Sequence, residues 1–75
     1  MNRRNIKVRK FQKALSDFGC ITKRTTSHGI IVENPINHKS TNVPLHRDII
    51  PIWIYENVLR QLDINKIEFE MKYMN

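Results

Sequence analysis

The sequence predicts an α+β domain: a two-layer α-β-β-β-α arrangement in which a three-stranded antiparallel sheet carries helices on one face. Three observations lead there. Val8, Phe11, Leu15 and Phe18 recur at spacings of three, four and three near the start, and Ile54, Tyr55, Val58, Leu59 and Leu62 form a broad apolar face near the end. Both patterns have the helical period. Between them lie three stretches rich in β-branched residues, "CITKRTTS", "HGIIVEN" and "STNVPLH", separated by turn signals. Finally, 75 residues suffice for one layer of helices on one sheet, so residues 1–75 read as a single domain with no room for a deep cofactor cleft.

Each element has local grounds. In "NIKVRKFQKALSDFG" the apolar stripe, with Ala14 beside it, predicts a helix with Asn5 as its N-cap and Gly19 at a left-handed C-terminal cap. "CITKRTTS" and "HGIIVEN" read as a hairpin turning between Thr25 and Gly29, with Ile30 and Val32 on one face and Ile31 on the other. "NPINHK" is a turn cluster. Pro44 cannot donate to a ladder, so the third strand belongs at an edge. Pro51 suits the first turn of the second helix. Asn65 followed three residues later by Glu68 has the form of a capping box, which predicts a short terminal helix with Ile67 and Met71 sharing a face.

The net charge is +6 and unevenly placed: residues 1–47 hold ten Lys or Arg against two acids, and residues 48–75 hold three against five. A polyanion is the natural partner of such a surface, and nucleic acid is the commonest. The single cysteine, Cys20, excludes an internal disulfide and a cysteine-based zinc site, and its place after Gly19 predicts burial. No apolar run approaches a membrane span, and "MNRRNIKVRK" lacks the apolar stretch of a secretion signal. A cytoplasmic protein, without membrane or small-molecule cofactor, is the expectation.

Most catalytic apparatus is missing. The sequence has no phosphate-cradling glycine loop, and the spacings of His28, His38 and His46 match no metal-ligand signature. His38 falls in a turn cluster and reads as incidental. Trp53 reads as a core or partner-packing residue rather than a base-stacking one. His28 stands apart. It sits between Ser27 and Gly29, where a hydroxyl-rich strand turns into an apolar one. An imidazole there is exposed and held by rigid flanking strands, and it exchanges protons near neutrality. Lys23 and Arg24 are close enough in sequence to bring a phosphate to it. RNA carries its own nucleophile, the 2′-hydroxyl, so one well-placed base can start strand cleavage. Position and neighbours alone also allow a turn histidine with no task.

Across residues 7–68 the chain resembles the HicA-type mRNA interferases, the toxin halves of toxin–antitoxin pairs. The resemblance rests on "ALSDFG" closing the first helix, the basic strand, "SH" before an apolar strand, "NVPLH", and "VLRQLDI" in the second helix. It implies the fold of double-stranded-RNA-binding domains, and His28 as the catalytic residue with Ser27 its motif neighbour. It also implies mRNA as substrate, translation arrest as outcome, and a HicB-type antitoxin that covers the site. His46 falls where many members carry a histidine, and with Lys7, Lys10, Lys23, Arg24 and Ser27 it completes the expected RNA-binding set.

The family's Gly-Ser-His motif reads Thr26-Ser27-His28 here. A β-branched residue resists positive φ, so either Thr26 restricts the backbone or this turn does not need that freedom. A non-catalytic RNA-binding module of the same fold is the alternative reading. Against it stands His28 itself, since phosphate binding alone calls for lysine or arginine.

Overall fold

The computed structural model describes residues 5–45 and 47–74. In chain order the elements are β1 (Ile6–Lys7), α1 (Val8–Phe18), β2 (Ile21–Thr26), β3 (Gly29–Asn34), β4 (Lys39–Pro44), β5 (Ile49–Ile50), α2 (Ile52–Gln61) and α3 (Lys66–Tyr73). The main sheet is antiparallel in the order β2-β3-β4. The α+β expectation holds, with β4 at an edge and Pro44 at its end.

The alternation along β3 decides which face is covered. Ile30, Val32 and Asn34 are buried, while Ile31 and Glu33 are only partly so. Ile30 and Val32 join Val43 of β4 beneath the helices, together with Phe11, Leu15, Tyr55, Val58, Leu59 and Leu62. Phe11 meets Tyr55 edge-on with centroids 4.9 Å apart and Phe69 at 6.1 Å, so one aromatic ring joins all three helices. Such contacts add about 0.5–1.5 kcal/mol each beyond the area they bury.

The start of α1 differs from the expectation. Asn5 is not the N-cap: the helix starts at Val8, preceded by extended Lys7. Ile6 pairs with Ile50, and both are buried. That pairing holds residues 6 and 7 extended and moves the helix start past Asn5. The Val8 N–H, one of the donors a helix start leaves unsatisfied, goes to the Asp48 carbonyl at 2.9 Å. The C-terminal cap is as expected, with Gly19 left-handed at φ 119° and its N–H on the Leu15 and Ser16 carbonyls.

At the second helix Pro51 is the N-cap, one position before the first turn. The capping side chain of α3 is Asn65, whose Oδ1 accepts the Glu68 N–H at 3.0 Å. Ile67 and Met71 are 69% and 67% exposed, and the residue that docks α3 is Phe69, which is buried. Trp53 is 66% exposed and is not a core residue. No described helix is long and apolar enough to cross a membrane.

Candidate functional site

Ser27 and His28 are the two turn residues between β2 and β3, flanked by the pair Thr26↔Gly29. Both are exposed. Among the described non-glycine residues only His38 and Asp63 have positive φ. Thr26, Ser27 and His28 therefore turn the chain without the backbone freedom of glycine, and Thr26 is unstrained where the resembled motif has glycine. The required freedom falls one residue later. Gly29 has φ +148°, and a Cβ there would collide with the Val43 carbonyl oxygen and meet the Pro44 Cα at 2.9 Å. The close approach of β4 demands glycine directly after His28.

Hydrogen bonds from Thr26 hold the turn. Its hydroxyl oxygen accepts the His28 N–H at 3.2 Å. Its single proton serves the Gly29 carbonyl or Asn42 Oδ1, each 3.3 Å away. Asn42 belongs to β4, the far edge of the sheet, so the turn is fastened across all three strands. Asn42 and Gly29 were not among the site residues expected from sequence. Asn42 gives no motif signal, because its role depends on a register that pairs it with Ile31.

The expected RNA contacts fall in two groups. Arg24 pairs with Ile31 and Thr26 with Gly29, so both project from the sheet face that the helices leave open. Thr26 lies about 7 Å along the strand from Arg24, which puts Arg24 on the His28 end of the hairpin. Lys23 takes the β-bulge between Thr22 and Arg24. Its ammonium lies 3.0 Å from Glu33 Oε1, while His38 Nδ1 lies 2.9 Å from Glu33 Oε2. The Lys23 and His38 hydrogen bonds hold the Glu33 carboxyl below its ordinary range. A carboxylate thus already sits on one expected phosphate ligand.

Lys7 and Lys10 are in the helical layer instead. They line a half-open hollow of about 310 Å³ with Asn5, Ile6, Tyr55, Glu70 and Met74. The Tyr55 hydroxyl donates to Glu70 Oε2 there at 3.1 Å. The sheet therefore separates Lys7 and Lys10 from Lys23 and Arg24. His46 lies outside the described residues.

His38 has a structural place that its sequence position did not show. It is left-handed, φ 62°, in the turn between β3 and β4, and its N–H donates to the Asn34 carbonyl at 2.7 Å. Cys20 is buried, and burial pushes its thiol up to about 11, so it is a packing residue rather than a nucleophile. Among the described residues no group of three or more His, Cys, Asp or Glu is arranged to hold a metal ion.

No family model, curated protein or solved structure matches the chain.

Proposed function

We propose that the chain is an endoribonuclease of the HicA type, a toxin that cuts mRNA with His28 as its proton-transfer group. One observation carries the reading: an exposed imidazole stands on a two-residue turn whose backbone is tied down on both sides, with Arg24 on the same end of the hairpin. A side chain so mounted has little backbone freedom and full access to a polymer, which a general base acting on a large substrate needs.

The chemistry follows from the substrate. Neutral His28 takes the proton of a ribose 2′-hydroxyl. The 2′-oxygen bonds to the adjacent phosphorus, and the bond from phosphorus to the 5′-oxygen breaks. That oxygen is protonated from solvent or by the imidazolium of His28. The products are a 2′,3′-cyclic phosphate and a 5′-hydroxyl. Arg24 steadies the charge that gathers on the phosphoryl oxygens, and Ser27 donates to the same phosphate. No divalent ion takes part. Lys23 adds phosphate affinity in competition with Glu33. Lys7, Lys10 and His46 hold more distant parts of the strand. The setting is the cytoplasm, and a HicB-type antitoxin silences the toxin by covering the turn.

His28→Ala tests the reading. The expected result is loss of RNA cleavage and of growth arrest, with thermal stability and RNA affinity close to the parent. Cleavage by the variant at the parental rate removes His28 from the mechanism. RNA binding by a parent that cuts nothing identifies a binding module instead.

A further inference from the structure

We infer that Thr26 is a positioning residue for His28, braced across the sheet by Asn42; its catalytic consequence rests on the reading of His28 given above. Thr26 ends β2, and its hydroxyl has polar neighbours on three sides: the His28 N–H at 3.2 Å, the Gly29 carbonyl at 3.3 Å and Asn42 Oδ1 at 3.3 Å. A hydroxyl bonded only to the N–H two residues ahead forms a local turn of a weak kind. Here Asn42 Oδ1, on the opposite edge strand, shares that hydroxyl's proton with the Gly29 carbonyl. Threonine is stiff at χ1, so a held hydroxyl fixes the whole side chain and, through it, the peptide that carries His28.

Gly29 makes the brace possible. With no side chain at that position, β4 closes to a distance at which a Cβ would strike the Val43 carbonyl. Thr26 and Asn42 then meet over β3, two strands apart in the sheet. A glycine at position 26 has no hydroxyl to offer either partner. This chain accordingly sets its histidine by a side-chain bracket built on the Thr26 hydroxyl.

Two measurements on the intact chain separate this inference from the reading it rests on. The first is amide hydrogen exchange by NMR, which needs no activity. Thr26→Val keeps shape and strand propensity and removes the hydroxyl. The His28 amide should exchange about fivefold faster in it, as expected for one lost hydrogen bond. Thr26→Ser should restore protection, and Asn42→Ala should lose part of it.

The second measurement is cleavage of an RNA substrate. Thr26→Val should lower kcat about tenfold or more, since small misplacements of a catalytic group reach about a hundredfold. KM should change less than about twofold, and Thr26→Ser should recover most of the rate. His28 exchange at the parental rate in Thr26→Val overturns the bracket. Faster exchange with unchanged kcat overturns the positioning role. A parent that cleaves nothing removes the catalytic reading and leaves exchange to decide the bracket.

Discussion

The Asn34 side-chain amide donates to the Leu62 carbonyl at 3.0 Å, joining the end of β3 to the C-terminal end of α2. Asn37 donates to the same oxygen at 3.1 Å. Among the described residues Asn34 is the buried polar one, and its Oδ1 also accepts the Ile36 N–H at 3.0 Å. One carbonyl at a helix end, where intrahelical donors run out, is thus supplied twice from one turn.

The two asparagines are therefore unequal. Asn34→Ala removes a buried amide and leaves the Ile36 N–H without its acceptor. It should cost about 1–3 kcal/mol in urea unfolding. Asn37→Ala leaves Asn34 on the carbonyl and should cost about 0.5–1.5 kcal/mol. The double variant should cost more than the sum, because only then does Leu62 lose both donors. A larger loss from Asn37→Ala than from Asn34→Ala would contradict this ordering.

The two glycines invite a matched comparison. Gly19→Ala meets nothing within 4 Å, so it pays only for a left-handed alanine, about 1–2 kcal/mol. Gly29→Ala drives a methyl group into the β4 backbone and should be clearly the more destabilising. Its amide shifts should spread through the β2–β3 turn and along β4. Equal thermal stability for the two variants would show that β4 yields at little cost.

Glu33 ties charge to stability and, on the proposed function, to RNA binding. Its carboxyl is held low by Lys23 and His38, so the folded state binds fewer protons than the unfolded one. The resulting stabilisation is present above the ordinary glutamate value of 4.5 and is lost as pH falls below it. Glu33→Gln should flatten that acid limb. The same change releases Lys23, so RNA affinity should rise and its dependence on salt should steepen by about one phosphate contact. An unchanged salt slope means Lys23 does not meet phosphate.

Phe69 tests the docking of the last helix. It is buried and stacks within reach of Phe11, Phe18 and Tyr73. Phe69→Ala should cost about 3–5 kcal/mol, a large part of what a chain of this size holds in reserve. Ile67→Ala, on the exposed side of the same helix, should change stability by less than about 0.5 kcal/mol. Thermal unfolding of both variants decides it.

The proposed mechanism makes two further demands on the substrate and the medium. RNA cleavage should continue in excess chelator. A substrate whose scissile nucleotide lacks the 2′-hydroxyl should remain intact, and fragments from it would exclude the 2′-oxygen as nucleophile.

The periodicities in this sequence determined the first two long helices, the three strands of the main sheet and the hairpin, because burial of one face leaves a repeat of 3.6 or of 2 in the residues. Gly19, Pro44 and Asn65 were legible for a similar reason, since each answers to its own few neighbours. The same local reading offered His28 as a candidate, an imidazole at a turn between strands, beside the reading of a turn histidine with no task. What lies far apart in the chain was decided only by folding. The pairing of Ile6 with Ile50 displaced the start of α1, and Phe69 rather than Ile67 or Met71 turned inward against Phe11. The sheet set Lys7 and Lys10 on one side and Lys23 and Arg24 on the other. Thr26 reached Asn42 across β3. Register and packing bring such residues together, and neither is written in the spacing of any one segment.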